Sequence, residues 1–232
     1  IALFILIFIL QNTISLGLAM FLDTRLHFFE LYRAVLFLPV IISGIATGFI
    51  WQVIFGSNIG LVNPLLQSIG LTSWQQDWQG EPPWVFWVIT LVSFWSGNGF
   101  AVVIYLAGLQ GIPGELKEAA RIDGANSFQV FQNVIFPLLA PAFTVMTGLT
   151  FIGTMKALEV PMLIGGLDGG PFASTDFLNL VIVRSAFGGS SPQYNFLHDP
   201  AYGVAVGVVM FLIILVLISL QLVYLRRREV SL

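Results

Sequence analysis

Five stretches of this chain are each long and apolar enough to cross a lipid bilayer, and this confines the fold more than any other feature. A helix needs roughly 20 mostly apolar residues to span the hydrocarbon layer. The stretches cover residues 1–22, 34–55, 84–109, 137–164 and 201–225. The first carries Gln11 and Asn12, and the fourth carries Lys156, Glu159 and Pro161. A soluble core is not an alternative. Of the 232 residues, 57% are hydrophobic and 9% charged, whereas a soluble domain carries about 25% charged residues to face water. Phe177–Phe187 is apolar but too short to span, so it is expected to lie along the interface or re-enter. The expectation is an all-α integral membrane protein, a polytopic bundle of five spans forming one domain over residues 1–232.

Basic residues near the span ends give the orientation, because cytoplasmic loops carry the excess of Lys and Arg. Arg25 and Arg33, Lys117 and Arg121, and Arg226, Arg227 and Arg228 make seven on one side. On the other side residues 56–83 have none and residues 165–200 have Arg184 alone. The first group is assigned to the cytoplasm. Trp74, Trp78, Trp84 and Trp87 then fall at the outer boundary, where aromatic belts form. This puts Ile1, already inside an apolar run, on the outer side. If the native N-terminus is cytoplasmic, an odd number of spans, most simply one, is expected upstream.

Between the third and fourth spans lies GIPGELKEAARIDGANSFQVFQNVIFPLL, residues 111–139, which is patterned for structure. Pro113 suits a first helical turn, and Glu115 and Glu118 favour its positive end. Ala119 and Ala120 are strong helix formers. Gly124 is placed to end the helix with positive φ, and Asn126 or Ser127 can cap a second helix reaching about Ile135, before Pro137. Two short helices around a glycine corner are predicted at the cytoplasmic surface. Leu116, Ala119, Ala120 and Ala125 give the corner a small apolar face that a groove on a soluble partner could accept.

Glu118-Ala119-Ala120, Gly124 four residues on, then Val134, Phe136 and Pro137 resemble the EAA motif of bacterial and archaeal ABC importer permeases. The motif's usual Ile and Leu are replaced by Val134 and Phe136, which remain apolar. EAARIDGA at 118–125, LAGLQGIP at 106–113, LPV at 38–40, Gly-Gly-Pro at 169–171 and the basic C-terminal helix are similar to the carbohydrate-uptake, maltose-type branch. The resemblance covers essentially the whole chain and implies that its first family helix lies upstream of Ile1. It implies a permease of the bacterial or archaeal cytoplasmic membrane that imports sugars or polyols. Its partners would be cytoplasmic ATP-binding subunits, a second related permease, an extracytoplasmic substrate-binding protein and membrane lipid. Glu115, Glu118, Ala119, Ala120, Asp123, Gly124 and Ala125 would then form the ATPase-coupling corner. No GxxxxGK[ST] occurs in the chain, so ATP and Mg would be bound by the ATPase partner.

Ionisable groups inside spans are costly and mark function by default. Lys156 and Glu159, three apart, can share one helical face and line a polar path with Thr154. An ion pair, or groups reaching outer water, is the structural alternative. On the third span Trp95 and Asn98 combine an aromatic face with an amide, as sugar recognition requires; packing and an interhelical hydrogen bond are the alternatives. Gly97 and Gly99 are expected at close helix contacts. The outer segments 56–83 and 165–200, with Asp168 and Asp176, would face the binding protein. A net charge of −3 argues against a nucleic-acid partner. The chain has no cysteine, and His27 and His198 stand alone, without metal-ligand spacing. A different cargo such as glycerol phosphate, or an ion-coupled secondary transporter using Lys156, Glu159 and a broken helix near Gly165–Pro171, remains open. A scaffold or enzyme subunit leaves the EAA spacing unexplained.

Overall fold

The computed structural model describes residues 2–24, 27–56, 60–188 and 199–226. Arg25, His198, Arg227 and Arg228, used above, lie outside these residues. Among the described residues no strand occurs. Three helices are long and apolar enough to cross a membrane unbroken: α1 (Ala2–Leu22), α5 (Pro82–Gln110) and α11 (Pro200–Arg226). Two further pairs pass the same test only when taken together, α2 (Phe29–Ile41) with α3 (Gly44–Ile54), and α7 (Ser127–Leu138) with α8 (Ala140–Met155). Shorter helices are α4 (Val62–Ser68), α6 (Gly114–Ile122), α9 (Glu159–Gly165) and α10 (Leu178–Phe187).

Proline and capping explain where the two pairs break. Pro39 removes a backbone donor two residues before α2 ends. Ser43, in extended conformation, then starts α3 by accepting from the Ala46 amide at 3.2 Å, and the axis turns by 95°. The expected span over 34–55 is therefore built from two helices. The second pair bends by 64° at Leu139, with Pro141 in the first turn of α8, where its missing N–H costs nothing. Upstream, α7 absorbs Pro137 through a π turn at Phe131–Ile135 and continues past the expected stop at Ile135 to Leu138.

The expected fourth span, 137–164, is also corrected. It ends at Met155, and Leu158 leaves the helical region (φ −138°, ψ −59°) before α9 begins at Glu159. Lys156 and Glu159 thus stand on either side of a helix break rather than on one helical face. No salt bridge joins them.

The chain forms two compact units. One contains Ile1–Ile41, Gly97–Phe151 and Leu215–Leu232. Its core joins Ala19 and Leu22 of α1 to Ala101, Val102, Tyr105, Leu106 and Leu109 of α5, with Leu139 and Met146. Small residues permit close approach: a Cβ on Gly99 would stand 2.9 Å from the Phe37 Cα and nearer still to the Leu36 carbonyl. The other unit contains Ile42–Ser96 and Ile152–Ile214. There α9 packs along α3, with Gly48 against Leu163 and Gly44 against Glu159. The short apolar segment near 177–187 is the helix α10, whose Arg184 is 2% exposed and donates to Asp176 at 2.8 Å. Of the α11 window that spans, only 6% of residues are buried, against 33% in α1 and 39% in α5. Its surface is left for lipid or another chain.

These contacts distinguish glycines that look alike in sequence. Gly99→Ala must push backbone apart and should lower stability by about 1–3 kcal/mol. Gly17, whose added Cβ would meet nothing within 4 Å, should accept alanine with a gain of about 0.5–1 kcal/mol. Thermal melting of the detergent-solubilised chain checks both, and equal melting temperatures for the two variants would contradict the packing described.

Candidate functional site

Two sets of residues are the candidates for function. The first is the corner at 113–130. Glu115 opens α6 and Arg121 closes it, each with the sign its helix end favours. Gly124 has φ +84°. Its amide donates to the Arg121 carbonyl at 3.1 Å, and the Ala125 amide donates to the Ala120 carbonyl at 3.0 Å. This is the paired bond pattern of a Schellman stop. One residue later Asn126 and Gln129 form a reciprocal capping box, at 2.8 and 2.9 Å. Asn126, not Ser127, is the cap. The stop of one helix and the start of the next are therefore both hydrogen-bonded within five residues, which leaves the corner little freedom. Lys117 reaches Asp23 at the end of α1 (3.4 Å), and Ile112 is buried in the core.

The corner's surface matches what its sequence predicts in polarity and exceeds it in apolar area. Glu115, Glu118, Ala119, Asp123 and Gly124 are exposed, while Ala120 and Ala125 are half-buried. Ile122 and Phe128, which the sequence reading passed over, are 81% and 69% exposed. Leu116 is exposed as well, so the corner carries three exposed large apolar side chains besides its acidic residues. The signal was present in the spacing of Leu116, Ala119 and Ile122 at one helical turn each.

The second set is the candidate path. Trp95 meets Trp51 edge-on (5.4 Å between centroids, 75°), and Trp51 stacks on Phe55 (5.7 Å, 19°). Phe55 meets Trp78, which meets Trp84, so five rings run in succession through one unit. Trp78 also donates its indole N–H to Asn63 at 2.8 Å. It and Trp84 thus point inward, whereas Trp74 and Trp87 are more than half exposed, as a belt requires. Trp51 was not singled out from sequence, nor was Thr47 one turn before it. The Thr47 hydroxyl and the Trp51 indole N–H are buried and have no hydrogen-bond partner among the described residues. Unpaired polar atoms of this kind are scarce in folded proteins and need a reason.

The remaining candidates separate. Asn98 accepts from the Ser15 hydroxyl at 2.6 Å, in the unit that holds α1. Gly97 and Gly99 lie at close contacts, as their residue type implies. Thr154 is 8% exposed near the end of α8. Lys156 closes that helix with an exposed side chain, and its carbonyl accepts from Asn179 at 3.1 Å. Glu159, also exposed, opens α9 against Gly44. An open cleft of about 550 Å³ lies beside α3 and α9, lined by Gln52, Asp77, Gln79 and the Met162–Gly166 backbone region. Asp176 is engaged by Arg184, which reduces its availability for docking. Beside it Phe172, 95% exposed, sits on a turn with φ +53°, held by a Thr175 amide to Gly169 carbonyl bond of 2.8 Å. No group of metal-ligating side chains occurs among the described residues.

Residues 1–230 match the family of binding-protein-dependent transport system inner membrane components. A probable starch degradation products transport system permease of Thermoanaerobacterium thermosulfurigenes is 34% identical over 223 residues, covering 96% of this chain and 72% of the relative. The trehalose/maltose transport system permease MalF of Thermococcus litoralis is 30% identical over 217 residues, 94% of this chain and 68% of that protein. The fold is shared with a bacterial ABC transporter involved in the import of the acidic polysaccharide alginate. That likeness has a TM-score of 0.76 at 20% identity, over 98% of this chain and 78% of the other. The family match along nearly the full sequence carries the conclusion: the chain belongs to the binding-protein-dependent transport system inner membrane component family.

Proposed function

We propose that this chain is the transmembrane permease subunit of an ATP-driven importer of sugars or polyols. The observation that carries the reading is the rigid corner at Gly114–Val130 within a member of this family. In this reading the corner docks on a separate cytoplasmic ATPase, which binds ATP and Mg. Leu116, Ile122 and Phe128 enter an apolar groove, while Glu115, Glu118 and Asp123 meet basic groups at its rim. Ala119, Ala120 and Ala125 keep the contact close. A corner closed by its own hydrogen bonds transmits displacement without deforming, which is what coupling to the spans requires. The chain pairs with a second, related permease, for which the bare surface of α11 is available, and receives cargo from an extracytoplasmic binding protein.

The sugar reading rests on relatives named for starch products and for trehalose and maltose. The aromatic run from Trp95 through Trp51 supports it, since ring faces stack on aromatics while Thr47, Thr154 and the Trp51 N–H can meet hydroxyls. A second reading of cargo is favoured by one observation. Lys156 is exposed and forms no salt bridge among the described residues, so it suits a cargo bearing an anionic group. Lys156→Gln should raise the transport KM for such a cargo about ten-fold, or about 1.4 kcal/mol, and leave a neutral sugar within about two-fold. Uptake assays on the two cargo types separate the readings.

Gentle detergent extraction followed by mass spectrometry tests the assignment. A stoichiometric ATPase with a phosphate-binding loop and a second permease are expected. A lone chain or simple homo-oligomer would sink the importer reading and favour an ion-coupled transporter. Within the assembled importer, Gly124→Leu forces a side chain into positive φ, a strain of about 1–2 kcal/mol, and should uncouple hydrolysis from uptake. Glu118→Trp should do the same, and unchanged uptake in both removes the coupling role. On the outer side Phe172→Ala should weaken stimulation of the ATPase by the binding protein several-fold while basal hydrolysis stays constant. Equal stimulation in the variant and the parent would exclude Phe172 from that contact.

A further inference from the structure

Inside the unit that contains α1, the transport reading leaves one buried polar cluster without a role. Gln11, Asn12 and Ser15 lie mid-way along α1 and are 7%, 6% and 0% exposed. They occupy a π turn, Gln11–Ser15, between two α-helical halves. Each bonds across to another helix. Thr150 of α8 donates its hydroxyl to Gln11 Oε1 at 2.9 Å. Ser15 donates to Asn98 Oδ1 of α5 at 2.6 Å. Tyr105 of α5, two turns further along, donates its hydroxyl to Asn12 Oδ1. The Asn12 amide nitrogen is in turn held by the Phe8 carbonyl at 2.6 Å. Gly97 admits the cluster, because a Cβ there would stand 2.5 Å from Gln11 Nε2.

Stability does not account for this arrangement. Hydrogen bonds between helices in a bilayer contribute little net free energy, since the separated helices find other partners. Three apolar side chains would fill the same volume without desolvating amides. What the polar set supplies is direction: each bond accepts one rotational setting of its partner helix, which apolar packing does not. A π turn widens the arc over which neighbouring residues project, so α1 can address two helices at once, and such turns gather at functional sites.

We propose that Gln11, Asn12 and Ser15 are positioning residues for the transport path, fixing the rotation of α5 and α8 about their axes. The proposal rests on the path assigned above. Trp95 precedes Asn98 by three residues on α5, and Thr154 follows Thr150 by four on α8. Each pair shares a helical face. Rotating either helix would therefore carry Trp95 or Thr154 away from the direction in which it now points.

The test needs no knowledge of the cargo. The chain has no cysteine, and a Cβ added at Gly153 meets nothing within 4 Å. Gly153→Cys in the full importer, reconstituted in nanodiscs, is thus a single reporter on α8 between Thr150 and Thr154. Its rate of reaction with a charged, water-soluble methanethiosulfonate reads the rotation of that helix. Gln11→Leu and Thr150→Val should each change the rate by about five-fold, the scale of a 1 kcal/mol bias. The double variant should change it no further, because one bond is lost in all three. Thr150→Ser should restore the parental rate. Rates that stay at the parental value, zero included, overturn the proposal. So does a change of the same size in Leu22→Ala, which loosens the core about two turns beyond Ser15 without removing a bond of the cluster. Loss of the importer reading would show instead as an absent ATPase in the parent, and the labelling rates would still be measurable.

Discussion

Within the hydrocarbon layer a peptide group has no water to turn to, so each backbone N–H and C=O must find a partner inside the protein. Several irregular parts of the described chain answer that requirement, or its counterpart at the membrane surface. Where Pro39 withdraws a donor, the helix stops and Ser43 caps the next one. Where Pro137 does so, the chain widens into a π turn and proceeds. Where the path reverses at Gly124, two backbone bonds and a capping box close both helix ends. Bends that look like departures from a simple bundle are thus the points where hydrogen bonding has been rerouted rather than lost.

Much of this was legible in the residues. The apolar stretches, the corner with its glycine, and a cap at Asn126 or Ser127 all follow from patterns that act over a few residues. The failures have a common cause in interactions between segments distant in sequence. Nothing local says that α9 leaves the line of α8 to lie along α3. The evidence for it is the match of Gly44 and Gly48 to Glu159 and Leu163, over a hundred residues away. Lys156 and Glu159 were read on one face because spacing alone assumes an unbroken helix. Trp51 was passed over because a tryptophan in an apolar run looks like any other until its ring neighbours are known. Gln11 and Asn12 were noted as impurities in the first span, and only the positions of Tyr105 and Thr150 give them a purpose.

The two functional regions differ in how they achieve order. The corner is held by main-chain bonds and local caps, so its shape is set before it meets any partner. The aromatic run and the polar cluster are held by side chains that meet from separate helices, so their shape depends on how those helices are set. The proposed function would use this division, with a stiff element to receive force and elements that can change their mutual arrangement to carry cargo.

Arg184 lies on the side that the basic loops avoid, and it is buried against Asp176, eight residues before it in the chain. A buried guanidinium without a counter-charge is costly, so the pair with Asp176 is what lets an arginine sit inside the protein on this side.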